Sequence, residues 1–447
     1  MKLPQLALFA ALLVPGSLDA ADWPQWLGPK RDGVSPEKGL LQTWPKDGPK
    51  LLWTFTHAGE GYSCPVIVGD RLYLSGARGD AEFLFALDLQ QVQGGAPKEL
   101  WAVKIGPRFD GPGKSTWNAG PIATPVVDGG MVYAQGGSGE LVGVTTDGKE
   151  VWRKSLLKDL AGEVNPIGGG IGSAAGEPKL GWGYSSSPLI DGDNLICVPG
   201  GKQGLLAALN KKTGAVVWQS KEVPEQAPYS SPILVEVGGI RQVVQLTYPG
   251  TVGVAARDGK LLWYYKRKRP YPDVLIPTPV FHDNCIFTTT GHPPGGLGTG
   301  CDLIRLVPGT DGIKAEEVYS NRNVGVQQGG VVRVGEHLYG YAERPTGGWA
   351  CVEFKTGKVV WAEKGALERG SVTAADGRLY CLGEDQGTVV LIEASPAGWN
   401  EKGRFSLPQQ SKLRKPRGKV WTPPVIADGK LYLRDQELLF CYDIKER

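Results

Sequence analysis

Aromatic, amide and hydroxyl side chains recur just before the apolar runs of this chain, and such groups can bind a ligand without covalent chemistry. Aromatic rings stack on planar groups, and amides both donate and accept hydrogen bonds. We expect this set either to form the mouth of a binding site for a planar or sugar-like ligand or to plug the interior of the fold. The candidates are Tyr62, Trp117, Asn118, Tyr184, Ser185, Tyr229, Gln327, Gln328, Arg369 and Trp421.

Residue patterns for catalysis and for metal binding are weak by comparison. The four histidines lack metal-ligand spacing, and none of the seven cysteines forms a Cys-x-x-Cys pair. Most cysteines lie in apolar segments, as Cys197 and Cys441 do, which favours buried thiols over the alternative of one disulfide. The glycine-rich stretch 168–176 lacks the strand-then-helix context of a phosphate loop. The sequence therefore predicts no metal site and leaves the catalytic residues unknown.

A regular series of turn-forming pairs indicates which elements position these candidates. Such pairs tolerate the positive φ angles of a two-residue hairpin. Their spacing, about 40 to 60 residues, is typical of the blades of a β-propeller. The pairs are Gly69-Asp70, Asp128-Gly129, Asp191-Gly192, Gly238-Gly239, Asp283-Asn284, Gly335-Glu336, Asp376-Gly377 and Asp428-Gly429.

Each repeat is predicted to contain four strands, A to D, with a tryptophan near the end of strand D. Two repeats are degenerate, and their last strands are expected to end near Tyr319 and Phe405. The repeat from Thr422 has no strand D of its own, and the segment Gly48–Phe55 supplies the missing strand. A ring of eight blades closed in this way has no open strand edges. The tryptophans expected to pack between blades are Trp53, Trp101, Trp152, Trp218, Trp263 and Trp361.

The pattern Ala208-x-Asn210-x-x-x-Gly214-x-x-x-Trp218 resembles the tryptophan-docking repeat of the pyrroloquinoline quinone (PQQ) propellers. The resemblance covers nearly all of the chain after Gly48. It implies an all-β, eight-bladed propeller of four-stranded antiparallel blades, girdled by tryptophans between neighbouring blades. Residues 22–45, called the leader below, are similar to the leader of secreted members of the family. Those members are described as PQQ-binding-like, or as similar to the B subunit of the outer-membrane protein assembly machinery.

This resemblance leaves two functions open. Dehydrogenases of the family carry two adjacent cysteines and a calcium site beside a catalytic aspartate, whereas this chain has no adjacent cysteines. Asn118, Asp302 and Glu343 do not match the calcium motif. We therefore expect a non-catalytic binding or assembly scaffold for a protein, peptide or glycan ligand, with no cofactor. The alternative is an alcohol or sugar dehydrogenase with a divergent site that uses PQQ and calcium.

Composition and the N-terminal residues indicate the location of the protein and the class of partner that it binds. Residues 1–20 resemble a signal peptide, 21–47 form an N-terminal extension, and 48–447 form a single propeller. No later stretch is long and apolar enough to span a membrane. The 49 basic and 46 acidic residues give a net charge of +3, which argues against a nucleic-acid partner. We expect a monomer in the periplasm or outside the cell.

Loop lengths predict which face of the ring carries function. The A–B turns are uniformly tight, whereas the D–A and B–C connections, which share the opposite face, are long. Binding groups are usually mounted on loops of a rigid scaffold. Two basic runs on that face could attract an anionic partner or remain solvated. These runs are residues 266–269 and 412–419.

Overall fold

A computed structural model describes residues 21–111, 116–165, 180–269, 274–291, 299–310, 312–343 and 345–446. The signal peptide predicted for residues 1–20, the glycine-rich stretch 168–176 and most of the B–C connection 291–300 lie outside these residues. The described chain is all-β apart from one short helix, Leu156–Asp159. None of the helical structure in these ranges is long and apolar enough to cross a membrane.

The strands form eight sheets that are arranged as a β-propeller, and in seven of them the four strands of the blade follow one another along the chain. Every neighbouring pair within a blade is antiparallel. Strands A to D of blade 1 are Val66–Val68, Arg71–Arg78, Ala81–Gln93 and Ala96–Pro107; of blade 2, Val126–Asp128, Met131–Gln135, Glu140–Thr145 and Glu150–Ser155; of blade 3, Leu189–Asp191, Asn194–Cys197, Ala207–Asn210 and Val216–Gln219; and of blade 4, Ile233–Val237, Ile240–Thr247, Gly250–Ala255 and Leu261–Lys266.

The eighth blade is composite, as the sequence predicted. Lys50–Phe55 pairs antiparallel with Leu438–Asp443 and so completes the blade that the C-terminus leaves one strand short. Strands A to D of blade 5 are Val280–His282, Cys285–Thr290, Gly300–Gly309 and Gly312–Asn321; of blade 6, Val332–Val334, His337–Ala342, Gly348–Glu353 and Val359–Glu363; of blade 7, Gly370–Ala375, Arg378–Gly383, Thr388–Glu393 and Glu401–Ser406; and of blade 8, Val425–Ala427, Lys430–Asp435, Leu438–Asp443 and Lys50–Phe55.

The A–B turns lie where the sequence predicted them in six blades and one residue later in the other two. In blades 2 and 3 the aspartate pairs across the ladder as the last residue of strand A. The central residues of those turns are therefore Gly129-Gly130 and Gly192-Asp193. In blade 1, residues 90–97 extend the C–D hairpin, because strands C and D lengthen and turn at Gly94-Gly95.

A β-bulge precedes the aromatic residue that recurs in strand D of seven blades. In blade 3, Trp218 pairs with Ala208 and Val216 with Leu209, so Val217 has no partner. The unpaired residue faces solvent, and Val217 is 51% exposed. A bulge re-aims the next side chain, and Trp218 accordingly turns inward and is 7% exposed.

Every position of the docking repeat has a packing or turn role. Asn210 accepts hydrogen bonds from the backbone N–H groups of Lys212 and Thr213 and so fixes the C–D turn. Gly214 has φ +70°, and a Cβ there would lie 2.8 Å from Cδ2 of Trp152 in the preceding blade. The Trp152 indole donates to the carbonyl of Lys211 at 2.8 Å. The glycine therefore receives the tryptophan of its neighbour.

The same contact recurs at three further tryptophans of the ring. The Trp101, Trp218 and Trp361 indoles each donate to a carbonyl of the next blade, at 3.0 Å. Trp263 instead donates to Gln242 of its own blade, because blade 5 has a long hairpin in place of the docking turn. The degenerate strands predicted to end near Tyr319 and Phe405 are present.

The leader lies along the innermost strands and occupies the central channel from the tight-turn face. Trp23 bridges to Ile67 of blade 1, and Val34–Ser35 pairs in parallel with strand A of blade 7. On the way the Arg31 guanidinium, 4% exposed, donates to the carbonyls of Ser187 and Pro188. The leader then leaves through a bridge between Leu40 and Lys445.

Candidate functional site

A cavity of about 200 Å³ lies at the centre of the face that carries the D–A connections. The residues around it come from the segments that enter strand A in several blades and from the leader. Among the described residues its lining contains no Asp, Glu, His, Lys or Arg side chain, and six of the fourteen lining residues are aromatic. The lining residues are Trp26, Tyr62, Trp117, Ile122, Trp182, Ser185, Ser187, Tyr229, Ser231, Val274, Ile276, Gln327, Gln328 and Trp421.

Three tryptophans form the aromatic wall of this cavity. Trp117 stacks on Trp421, with ring centroids 5.7 Å apart and planes inclined by 25°. Trp182 meets both rings edge-on, at 5.7 and 6.3 Å. Tyr62 packs against Trp421 with centroids 5.0 Å apart. The wall offers flat apolar surface on which another ring can pack.

The aromatic wall is held by hydrogen bonds that lie behind it. The Trp421 indole donates to Glu384 at 2.9 Å, and Arg369 donates to the same carboxylate at 2.7 Å. Arg369 also donates to the side-chain oxygen of Gln327 at 2.7 Å. This chain of contacts connects residues of blades 6, 7 and 8. It pairs the charges with one another and leaves the cavity lining uncharged.

Seven of the ten residues singled out in the sequence line the cavity: Tyr62, Trp117, Ser185, Tyr229, Gln327, Gln328 and Trp421. The other three lie behind the lining. Asn118 is fully buried and donates to Glu60 and to the Leu413 carbonyl, both at 2.9 Å. The Tyr184 hydroxyl donates to the Pro199 carbonyl within the core.

Sequence reasoning missed Trp26 and Trp182 among the lining residues. Trp182 lies only three residues before Ser185, so its place just ahead of strand A was a usable signal. Trp26 carried no local signal, because it belongs to the leader and reaches the cavity only through long-range contacts. Its indole donates to the Thr278 hydroxyl of blade 5 at 2.9 Å.

The inner ends of the blades are joined by a series of hydroxyl contacts that fix the cavity walls. The Cys64 N–H donates to Thr124, the Thr124 N–H to Ser187, and the Ser187 N–H to Ser231, at 2.9 to 3.0 Å. Each hydroxyl thus ties one blade to the next. In blade 5 the equivalent hydroxyl, Thr278, accepts from Trp26.

Several cations of the two basic runs pair with acidic side chains of the fold, whereas Lys412 and Arg417 are exposed, so both the anionic partner and the solvated role stay predictions. The Arg414 guanidinium pairs with the buried Asp435 at 2.9 Å, and Lys415 pairs with Glu60 at 3.6 Å. In the first run, Arg267 is buried and pairs with Asp302 at 2.5 Å.

The residues of this site do not fit a quinone cofactor with calcium. The three oxygen donors weighed in the sequence have separate partners: Asn118 contacts Glu60, Asp302 pairs with Arg267, and Glu343 pairs with Arg369. No group of three His, Cys, Asp or Glu side chains among the described residues could hold a metal ion. All seven cysteines are buried and free. The described residues of the cavity lining also include no cation to meet the carboxylates of PQQ.

Comparison with known proteins agrees with the repeat pattern. Residues 86–292 match the family model described as outer membrane protein assembly factor BamB. The fold is similar to BamB from Moraxella catarrhalis, at 12% identity and a TM-score of 0.56 over 88% of this chain and 99% of that one. No curated protein matched the sequence.

Two further solved structures are similar. Quinohemoprotein alcohol dehydrogenase from Comamonas testosteroni has 12% identity and a TM-score of 0.60, over 95% of this chain and 81% of that one. The computationally designed Ika8 protein has 9% identity and a TM-score of 0.51, over 88% of this chain and all of that one. At these identities the likeness shows the fold and not the activity. The docking repeat, the eight blades and the BamB family model matched by residues 86–292 together identify the fold as a PQQ-like β-propeller.

Proposed function

We propose that the protein is a non-catalytic binding scaffold that holds an apolar, aromatic side chain of a protein partner in the central cavity. The observation that carries this proposal is the uncharged cavity walled by Trp117, Trp182 and Trp421. Aromatic anchors that fill well-packed apolar pockets dominate the energetics of many protein interfaces. A lining of this kind stabilises such an anchor by desolvation and ring packing.

The size of the cavity favours one side chain over a whole small-molecule ligand. Pockets for drug-sized ligands are about 300–1,000 Å³, and this cavity is about 200 Å³. The serine, tyrosine and glutamine side chains of the lining can pair with only some of the hydroxyl groups of a sugar ring, and hydroxyl groups that face tryptophan carbon would be buried unpaired, which is costly. A protein or peptide partner therefore fits the cavity better than a glycan does.

The comparisons support a protein partner and a location outside the cytoplasm. The matched family model describes an assembly factor for outer membrane proteins. The signal-like residues 1–20 are consistent with export. We infer a periplasmic or secreted scaffold that acts as a monomer. A dehydrogenase is not proposed, because the lining residues that the structure describes include no carboxylate or histidine to act as a general base and no groups that fit the quinone and calcium.

The proposal is tested by titrating the full chain with N-acetyl amino-acid amides and following binding by NMR. The tryptophan amide should bind, and the lysine amide should bind at least about tenfold more weakly, because the cavity has no carboxylate to pair with the ammonium group. Ile122→Trp should fill the cavity and abolish binding, because Ile122 lines it and is half-buried.

Val92→Trp is the matched control, because it adds the same ring at a 45% exposed position in the blade 1 hairpin. Binding that survives Ile122→Trp would contradict the proposal, as would tighter binding of a methyl glycoside than of the tryptophan amide. Dye-linked alcohol or sugar oxidation after addition of PQQ and calcium would instead support the dehydrogenase.

A further inference from the structure

Trp26 of the leader lies between the central cavity and a smaller one beneath it. The second cavity, about 20 Å³, is lined by Trp26, Thr278 and residues at the start of blade 6. The two cavities share Trp26, Ile276 and Gln328 as lining residues. Trp26 is the largest of the three, and it is the one that comes from outside the blades. Its indole therefore forms part of the floor of the central cavity.

The leader holds this ring in place on both sides along the chain. Before it, Trp23 is 1% exposed and exchanges two backbone hydrogen bonds with Ile67, at 2.8 and 3.0 Å. After it, the buried Arg31 guanidinium donates to two carbonyls at the start of blade 3. The indole itself donates to Thr278 at 2.9 Å. A ring fixed by three such contacts acts as a rigid surface rather than an adjustable one.

We propose that Trp26 sets the depth of the central cavity and thereby selects the size of the side chain that binds there. This inference rests on the proposed function. With Trp26 in place, the cavity accepts one aromatic group and rejects a longer biaryl group. Removing the indole joins the two cavities and adds the volume of the ring itself. The leader is thus a specificity-determining part of the site rather than a linker in front of the propeller.

The test compares two probes, N-acetyl-phenylalaninamide and N-acetyl-4-phenylphenylalaninamide, whose dissociation constants are measured by NMR on the full chain. Wild-type protein should prefer the single ring. Trp26→Ala should reverse the preference, with a change in the ratio of the two constants of at least about tenfold, because even one methylene in an apolar pocket discriminates by 10- to 200-fold. Trp26→Leu should give an intermediate ratio, and it replaces Trp26→Ala as the test variant if the alanine variant does not fold.

Thr278→Val is the control, because it removes the hydrogen-bond acceptor of the indole and leaves the ring present. Its size preference should stay close to that of the wild type. If the single-ring probe binds wild-type protein but Trp26→Ala and Trp26→Leu leave the ratio unchanged, Trp26 does not set the depth and the inference is wrong. If neither probe binds wild-type protein, the proposed function itself fails. The two failures are therefore distinguishable.

Discussion

Replacing Gly214 with alanine should weaken the contact between blades 2 and 3 by more than the backbone strain alone explains. Gly214 has φ +70°, and a Cβ there would lie 2.8 Å from Cδ2 and 2.9 Å from Cε3 of Trp152. Gly192 of the same blade has φ +57° and no atom within 4 Å of its Cβ position. Gly192→Ala therefore reports the strain without the clash.

The expected magnitudes follow from these two geometries. Left-handed backbone costs a residue with a Cβ about 1–2 kcal/mol, and this cost is shared by both variants. Crowding a packed contact adds about 1–3 kcal/mol, and this cost falls on Gly214→Ala alone. Urea unfolding followed by circular dichroism should thus show Gly214→Ala less stable than Gly192→Ala by about 1–3 kcal/mol.

A double-mutant cycle isolates the contact with the tryptophan ring. In a Trp152→Ala background the ring is gone, so Gly214→Ala and Gly192→Ala should become equally destabilising. A difference that persists without the ring would refute the reasoning, because the extra cost would then not come from docking. Equal effects of the two glycine variants in the wild-type background would refute it as well.

Three further predictions concern the blades and their closure. Trp218→Ala should lower the free energy of unfolding by about 3–5 kcal/mol, measured by urea denaturation, because the ring is 7% exposed and donates to the next blade. Burial raises the pKa of Glu82 to about 7, so the folded state binds the proton of this carboxyl more tightly than the unfolded state does. The free energy of unfolding should therefore rise as pH falls from about 7 to about 4.5. Glu82→Gln should flatten that part of the pH profile. Arg434 donates to five backbone carbonyls where blades 8 and 1 meet. Arg434→Met should therefore lower the free energy of unfolding by at least about 3 kcal/mol and speed proteolysis. An unchanged rate of proteolysis would show that Arg434 does not hold the ring closed.

The fold was predictable because its signals are local and repeated. Turn pairs that tolerate positive φ are short-range patterns that recur in all eight repeats, and a glycine four residues before a tryptophan recurs in four of them. The composite blade followed from counting strands, since a repeat that stops after strand C needs a partner from elsewhere. The bulge before Trp218 was not predicted, because a bulge depends on the register between two strands and not on the residues of one.

The candidate site was predictable only in part, for a physical reason. A position just before strand A indicates that a residue lies at the inner end of a blade, near the central channel. It does not decide whether the side chain points into the cavity or toward a buried partner. Asn118 and Arg369 turn toward buried carboxylates, because those partners compensate their desolvation. Trp26 was missed because the path of the leader depends on contacts hundreds of residues away in sequence.

The most direct test of the central claim is to locate a bound aromatic side chain. Crystals of the full chain soaked with N-acetyl-4-bromophenylalaninamide would report the bromine position by anomalous scattering. The account predicts one principal bromine site inside the central cavity, within about 4 Å of the rings of Trp117, Trp421 or Trp26. Bromine sites only outside this cavity, for a probe that binds in solution, would contradict the claim that the cavity is the binding site.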